Sequence, residues 1–423
     1  MTEATAVEDE AYDPFGAFDH ALGADKVRNP FPKWAELRPQ GVVRGGTWEM
    51  FFSGEELEKP GGSAAMSMAY ANTPVFTALS YDAVTQVLRS PGRPFSSSCY
   101  ADTMGIVMGH SILEMDEPEH AGYRNLLEGV FGRRAMEQWE VETISPTIHR
   151  FIDKFADRGH ADLVREFTFP FPVHVITGLL GLPEEDLPRF HRWAIELINV
   201  AGDIQRGLEA SQKLHDYLIE VIDERRKESR DDMISVLAHS ELDGTRLDNE
   251  QICAFLRLLL PAGAETTYRS SSNLLFGLLS HPDQLDAVRN DRSLLPQAIE
   301  EGLRWEPPLT SIVRRTVEDT EVCGVAIPAG AAIMVCNASA NHDEKRWENP
   351  EEFDIFRKRF PPVAFGFGPH VCLGQHLARM ETTVAVNALL DRLPNLRMDP
   401  AAEDVHITGL MFRSPVSLPV LFG

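Results

Sequence analysis

The chain has 423 residues, of which 43% are hydrophobic and 25% are charged. That composition is ordinary for a globular protein with a large core, so intrinsic disorder is not expected to dominate. The 64 acidic and 40 basic residues give a formal charge of -24, which repels phosphate backbones and anionic lipids and argues against nucleic acid as a partner.

The start of the chain and its cysteines bear on where the protein works. Residues 1–16 have neither the basic start nor the apolar run of a signal peptide, and about 18 consecutive apolar residues occur nowhere. The five cysteines, at positions 99, 253, 323, 336 and 372, show no spacing typical of zinc sites or redox dithiols. We therefore expect no membrane insertion and a reducing, cytoplasmic location.

The first eighty residues are predicted to be the least regular part of the chain. Residues 1–25 are acidic and aperiodic, which predicts a flexible arm, and a short helical pattern begins in NPFPKWAELR, residues 29–38. The clusters TWEMFF, residues 47–52, and TPVFTALS, residues 73–80, predict strands joined by glycine turns. This region is expected to form a small β-rich patch.

Helices are predicted for most of the remaining chain. From residue 81 to residue 305, apolar residues recur three and four positions apart. Strand patterns return at residues 320–336, where a central Pro-Ala-Gly turn predicts a hairpin, and at residues 414–423. The prediction is one domain over residues 26–423, mainly α with a small β region.

The most informative segment is FGFGPHVCLGQHLARMETTVAV, residues 365–386. Its first ten residues, the cysteine loop (residues 365–374), present Cys372 just before an apolar helix. A metal-binding thiolate must be deprotonated, and a helix N-terminus offers both a positive dipole end and spare N–H donors. The alternative is a buried structural cysteine, which is the commoner role of a single cysteine.

The flanking residues favour the ligand. The loop resembles the haem-binding motif Phe-Gly-x-Gly-x-His-x-Cys-x-Gly of cytochromes P450, matched by Phe365, Gly366, Gly368, His370, Cys372 and Gly374. The resemblance implies the P450 fold, a triangular prism with haem b buried between a distal and a proximal helix. It also implies that Cys372 is the axial ligand of the haem iron and that His370 donates to a haem propionate.

A second motif lies in LLLPAGAETTYRSSSNLLFGLL, residues 258–279, a long apolar helix interrupted by small and polar residues. A mid-helix carboxylate and hydroxyl can hold water where backbone hydrogen bonding is loosened, which suits proton delivery. Alternatively, the threonine hydroxyl bonds back to its own helix. The segment resembles the P450 distal helix, with Glu265 and Thr266 as its acid–alcohol pair, although glutamate replaces the commoner aspartate and Pro261 is unusual.

Two further resemblances follow the order of the family. Glu301 and Arg304 lie one helical turn apart, and the family's Glu-x-x-Arg helix implies a buried ion-pair network with Arg357. In MDEPEHAGYRNLLEGVF, residues 115–131, His120 and Arg124 share a helix face; a solvated surface pair is the alternative. The family implies instead that both bind propionates.

Arg314 matches a further propionate contact of the family, with Arg315 as the alternative if the register slips by one residue. Together, these motifs extend the resemblance over about residues 75 to 423. The residues that line the substrate pocket in the family correspond to Leu259, Ala262, Gly263, Thr310, Ile312, Leu410 and Met411. These are mostly apolar, so the expected substrate is a terpenoid, steroid, fatty acid or aromatic molecule.

The resemblance implies a monooxygenase that inserts one atom of O2 into its substrate. Electrons from NAD(P)H are expected through a ferredoxin and a ferredoxin reductase, because the chain has no segment for a fused flavin or iron–sulfur domain. The enzyme is expected to be a monomer. A peroxygenase and a non-enzymatic haem-binding sensor or carrier are the alternatives, and Glu265 and Thr266 argue against both.

Overall fold

Helices form most of the computed structural model, which describes residues 12–21, 24, 26–52, 73–358 and 360–423. The helices are α1 (Pro14–Ala21), α2 (Phe31–Leu37), α3 (Tyr81–Leu88), α4 (Gly105–Met108), α5 (Glu119–Val130), α6 (Arg133–Trp139), α7 (Ser145–Asp153), α8 (Pro170–Leu179), α9 (Leu187–Ile198), α10 (Ile204–Lys227), α11 (Met233–His239), α12 (Asn249–Ser280), α13 (Pro282–Asn290), α14 (Leu295–Trp305), α15 (Asn337–Ala340) and α16 (Gln375–Arg392). Across the described residues, no helix has both the length and the apolar character needed to cross a bilayer.

The strands form a small β region beside the helices. They are β1 (Val42–Arg44), β2 (Val75–Ala78), β3 (Phe95–Ser96), β4 (His160–Asp162), β5 (Glu241–Leu242), β6 (Thr245–Arg246), β7 (Ile312–Thr316), β8 (Thr320–Val322), β9 (Val325–Ile327), β10 (Ala332–Val335), β11 (Arg397–Met398), β12 (Ile407–Thr408), β13 (Ser414–Pro415) and β14 (Pro419–Leu421). The largest sheet has the order β1-β2-β10-β7-β3, in which only β2 and β10 pair in parallel. The prediction of a mainly α fold with a small β region is confirmed.

Helix α12 lies at the centre of the helical core. Its N-terminus is fixed by a capping box, in which the side chain of Asp248 accepts the N–H of Gln251 and the Gln251 side chain accepts the N–H of Asp248. Most of its 32 residues are buried, since it packs against α8, α9, α10, α14 and α16. A helix that is covered on nearly all sides offers a rigid platform for functional side chains.

Helix α16 follows the cysteine loop and packs against α7, α12 and α14. Leu377, Ala385 and Leu389 belong to the largest hydrophobic cluster, together with residues from α12 and α14. Because this helix is anchored along its length, the loop that leads into it is held at a fixed position. Its N-terminal N–H groups therefore point toward the segment that carries Cys372.

Three local predictions need correction. Residues 14–21 form α1 rather than part of an irregular arm, because Phe18 is buried against Phe412; residues 1–11 lie outside the described residues. TWEMFF forms a turn rather than a strand, with Trp48 and Phe52 stacked in a small cluster. The hairpin of residues 320–327 turns at Cys323 and Gly324, both with positive φ, and not at Pro-Ala-Gly.

Candidate active site

The cysteine loop holds Cys372 by its backbone. The N–H of Cys372 donates to the carbonyl of Phe365 over 2.8 Å, and the N–H of Gly366 donates to the carbonyl of Val363 over 2.9 Å. The backbone N–H groups of Gly374 and Gln375 donate to the sulfur. The Cys372 side chain is exposed although it precedes a well-packed helix. The sulfur is therefore oriented by the fold and remains accessible to a ligand.

Two glycines allow the loop to take this path. Gly366 and Gly368 have φ of +76° and +75°, in the left-handed region that favours glycine. At Gly368 a Cβ would come 2.3 Å from the carbonyl oxygen of Leu88, at the end of α3. The loop therefore passes too close to α3 to carry a side chain at this position.

Opposing effects act on the Cys372 thiol. Although Cys372 keeps accessible surface, the protein atoms around its sulfur partly remove it from water and raise the pKa of the thiol, whereas the Gly374 N–H and the positive charges of Arg124 and Arg379 lower it. Arg379 is fixed by an ion pair with Glu300 at 2.5 Å between Nε and Oε1, and its guanidinium lies 4.4 Å from the centroid of the Phe365 ring. The surroundings thus contain stabilising groups for a thiolate.

The structure brings together the four side chains that the family resemblance assigns to the haem propionates. The rings of His120 and His370 lie 3.9 Å apart between centroids, and Arg124 donates to the carbonyl of Val371 over 2.5 Å. Burial, together with the positive charges of Arg314, His120 and Arg124, lowers the pKa of His370 to about 3. The cluster is therefore rich in donors and positive charge.

Strand alternation places the side chains of Arg314 and Arg315 on opposite faces of β7. Arg314 is buried and faces the cluster, whereas Arg315 points to the other face of β7 and pairs with Asp102 at 2.7 Å. Among the described residues, no carboxylate lies within ion-pair distance of Arg314. Arg314 forms hydrogen bonds with the carbonyl of Val313 and the hydroxyl of Tyr100.

Helix α12 runs unbroken through the acid–alcohol pair, which corrects the expectation of a loosened segment. The hydroxyl of Thr266 donates to the carbonyl of Ala262 over 2.8 Å, as the alternative interpretation held. Pro261 lacks an N–H, so one bond of the helical ladder is absent just before the pair. Ala262 is exposed and Thr266 half-buried in the middle of an otherwise covered helix.

Glu265 points into a buried ion-pair network. Nε of Arg269 donates to its Oε2 over 3.1 Å, and Nη2 of Arg269 donates to Asp19 of α1 over 2.6 Å. Nη1 of Arg269 donates to the hydroxyl of Ser414 over 3.0 Å. Burial raises the pKa of Glu265 to about 7, with Arg269 lowering it and Asp19 raising it. This carboxyl group can exchange a proton near neutral pH.

The predicted pocket residues divide into two groups. Leu259, Ile312 and Met411 are half-buried and Ala262 is exposed, so these four retain accessible surface. Two others are corrected, because they are almost fully buried. Thr310 and Leu410 are each 1% exposed, and the Thr310 hydroxyl donates to the Leu410 carbonyl, which joins the segment before β7 to the C-terminal strands. Gly263 is half-buried and stays a prediction; it lies against α8, where a Cβ would come 2.7 Å from Cδ1 of Ile176.

The structure also places Glu301, Arg304 and Arg357 together. Arg304 donates twice to Glu301, each time over 2.8 Å, and Nε of Arg357 lies 3.3 Å from Oε1 of the same carboxylate. Arg304 also donates to the carbonyls of Asn341 and Pro350. The network ties α14 to the segment that leads toward the cysteine loop.

Comparison with known proteins identifies the family. The sequence model of the family named cytochrome P450 matches residues 193–411. The chain is 34% identical over 414 residues to the cytochrome P450 monooxygenase PikC of Streptomyces venezuelae, covering 95% of this chain and 92% of that protein. The chain belongs to the cytochrome P450 family.

Two more P450 proteins extend the comparison. The steroid C26-monooxygenase of Mycobacterium tuberculosis is 35% identical over 375 residues, which are 85% of this chain and 93% of that protein. The crystal structure of CYP109E1 from Bacillus megaterium in complex with testosterone matches with a TM-score of 0.79 at 30% identity, covering 93% of this chain and 99% of that one. The predicted P450 fold is therefore confirmed.

This P450 is a haem-thiolate monooxygenase that uses O2 and receives NAD(P)H-derived electrons from redox partners. The residues present fit haem. The accessible Cys372 sulfur accepts two N–H bonds, and the donor cluster of His120, Arg124, Arg314 and His370 suits two propionates. A buried arginine without a counter-charge is costly in free energy unless an anion pairs with it. Arg314 is such an arginine, because it is buried and has no carboxylate partner among the described residues.

Three contributors to the site escaped sequence analysis. Ser97 lies 3.2 Å from Nε2 of His370, and Arg269 and Asp19 complete the network of Glu265. Arg269 follows Glu265 by four residues, so the i,i+4 spacing of opposite charges was an available signal. No local pattern marks Ser97 or Asp19, since each reaches the site through long-range packing.

Proposed function

We propose that Cys372 ligates the haem iron and that the enzyme oxygenates a hydrophobic small molecule. This molecule binds beside α12, where Ala262 is exposed and Thr266 is half-buried. The observation that carries the proposal is the accessible Cys372 sulfur, held by the Gly374 and Gln375 N–H groups at the start of α16. Haem bound through a thiolate supplies the chemistry of O–O cleavage and oxygen insertion. Its propionates would be held by His120, Arg124, Arg314 and His370.

Glu265 and Thr266 carry protons to the reaction. The carboxyl of Glu265 is buried and titrates near neutral pH, so it takes up and releases a proton under working conditions. Thr266 is the next residue and is half-buried, with its hydroxyl on the carbonyl of Ala262. Rotation about its side-chain bond frees this hydroxyl to hold a proton or a water at Oγ1. This pair favours a monooxygenase over a peroxygenase or a sensor.

The substrate is expected to be apolar over most of its surface. Accessible apolar surface is contributed by Leu259, Ala262, Ile312 and Met411. Apolar pockets bind their ligands mainly by removing apolar surface from water rather than by charge. Among the classes that fit, a steroid ranks first, because CYP109E1 is seen with testosterone and a relative is named a steroid C26-monooxygenase. Terpenoids, fatty acids and aromatic molecules are the competing classes.

A ferredoxin with its NAD(P)H-dependent reductase is the proposed electron source, and the working form is a cytoplasmic monomer in which α1 packs onto the single domain predicted for residues 26–423. Purified protein is titrated with testosterone and with a long-chain fatty acid, and the visible spectrum is followed for a change of spin state. Ligands that bind are then incubated with ferredoxin, reductase, NADPH and 18O2. One 18O atom in the product is expected. Product formed only with hydrogen peroxide would favour the peroxygenase instead.

A further inference from the structure

The N-terminal helix reaches the acid of the distal helix directly. Asp19 of α1 lies 2.6 Å from Nη2 of Arg269, although the two residues are 250 positions apart in the chain. Helix α1 is held in place by aromatic contacts: Phe15 packs edge-on against Phe169 at 4.8 Å, and Phe18 packs against Phe412 at 5.6 Å between centroids. The docking of α1 therefore fixes Asp19 relative to Arg269.

One guanidinium serves two carboxylates at this point. The Arg269 side chain is 4% exposed, and its three donor positions are divided among Glu265, Asp19 and the hydroxyl of Ser414. Glu265 is 2% exposed, whereas Asp19 is 28% exposed and keeps contact with water. Two ionised carboxylates around one buried cation leave a net negative charge, and the more buried acid is the one expected to take up a proton.

We propose that Asp19 is a positioning residue for proton delivery. This proposal rests on the role proposed for Glu265. Asp19 holds part of the Arg269 guanidinium and places a negative charge near Glu265. Burial and this charge together leave a part of the Glu265 population protonated near neutral pH, and the protonated carboxyl is free to turn away from Arg269 toward the side of α12 that carries Thr266. Without the charge of Asp19, Glu265 would form a one-to-one ion pair with Arg269, and a larger share of Glu265 would be ionised at the same pH.

The groups around Glu265 support this assignment. On its own helix, Arg269 lowers the pKa of Glu265, and the Tyr268 hydroxyl is neutral because burial raises its pKa well above the usual value. From α1, the negative charge of Asp19 raises the pKa of Glu265. The C-terminal strands contribute the uncharged Ser414, which accepts from Arg269. Within the part of the chain that the structure describes, Asp19 is therefore the charged group from another element that acts on Glu265.

The test measures the protonation of Glu265 directly in the resting holoenzyme, without turnover. Infrared difference spectra between wild type and Glu265→Gln, recorded over a pH series, isolate the carbonyl stretch of the protonated Glu265 carboxyl. The same series is recorded for Asp19→Asn, with Glu265→Gln in the Asp19→Asn background as its own reference. Asp19→Glu tests for rescue. Asp13→Asn and Ser414→Ala are the controls, because the first removes an exposed charge from the same segment and the second removes an uncharged anchor of Arg269.

We expect the midpoint of the Glu265 band to fall by about one pH unit or more in Asp19→Asn and to return in Asp19→Glu. In both controls the midpoint should stay near that of wild type. A midpoint unmoved by Asp19→Asn, or moved equally by Ser414→Ala, would overturn the proposal, as would absence of the band from wild type. If Glu265→Gln fails to turn over a substrate, that result tests the proposed function and not the role of Asp19, because the infrared midpoint does not depend on substrate or electrons.

Discussion

Glu265 and Arg269 lie one turn apart on helix α12, and Nε of Arg269 donates to Oε2 of Glu265 over 3.1 Å with both side chains almost fully buried. An acid in this setting is costly to ionise, and its pKa is raised to about 7. The pair thus links the stability of the fold to the chemistry proposed for the site.

The first prediction concerns the proton carriers. Glu265→Gln removes the exchangeable proton and should lower the rate of product formation by about a hundredfold. Thr266→Val removes the hydroxyl at nearly constant volume and should lower the product formed per NAD(P)H by roughly tenfold, with hydrogen peroxide released instead. Thr267→Val is the matched control, since Thr267 is buried on another face of the helix. Equal losses in Thr266→Val and Thr267→Val would count against the role of Thr266.

The second prediction is a dependence of stability on pH. Because the folded-state pKa of Glu265 is raised above the ordinary value of 4.5, its contribution to stability is fully present below pH 4.5 and is lost as the pH rises through about 7. Between these limits the free energy of unfolding of wild type should fall by up to about 3 kcal/mol relative to Glu265→Gln. Urea unfolding of both proteins at several pH values measures the difference. Parallel curves for the two proteins would contradict the raised pKa.

The third prediction concerns the network of Glu301. Glu301→Gln leaves the buried Arg304 and the partly buried Arg357 without their carboxylate, and the unfolding free energy should fall by about 3–5 kcal/mol. Glu318→Gln breaks the exposed pair with Arg93 and should cost less than about 1 kcal/mol. Chemical denaturation compares the two variants. Similar costs would mean that burial does not set the strength of these pairs.

The fourth prediction separates two glycines with the same backbone conformation. Gly366→Ala should cost about 1–2 kcal/mol for a side chain at positive φ, because the nearest atom to its Cβ is the His370 carbonyl oxygen at 3.7 Å. Gly368→Ala pays the same strain and also meets the Leu88 carbonyl at 2.3 Å, so the loop must move. Haem content per protein should therefore fall much further in Gly368→Ala. Equal haem content in both variants would contradict the close approach to α3.

The fifth prediction compares neighbouring arginines on β7. Arg314→Leu removes a buried cation from the donor cluster and should weaken haem retention, measured as haem transfer to apomyoglobin. Arg315→Leu removes a partner of Asp102 on the opposite face and should leave haem retention near that of wild type. If Arg315→Leu weakened haem retention more than Arg314→Leu, Arg315 would be the propionate contact instead.

Local sequence predicted the parts of the site that lie on one element. The cysteine loop, the pair of Glu265 and Thr266, and the Glu301–Arg304 turn were all found where the motifs placed them, because spacing along a helix or loop fixes which side chains are neighbours. Thr310 and Leu410 were misplaced because tertiary packing decides which side chains keep accessible surface. Asp19 reaches Arg269 only after α1 docks, which no local pattern specifies.

The measurement that tests the central assignment most directly is the visible spectrum of the purified, dithionite-reduced protein under carbon monoxide. Ligation by the Cys372 thiolate predicts a band at about 450 nm, lost in Cys372→His even where haem is retained. A wild-type band at about 420 nm in intact protein, or an intact protein without haem, would contradict the assignment of Cys372 and the site built around it.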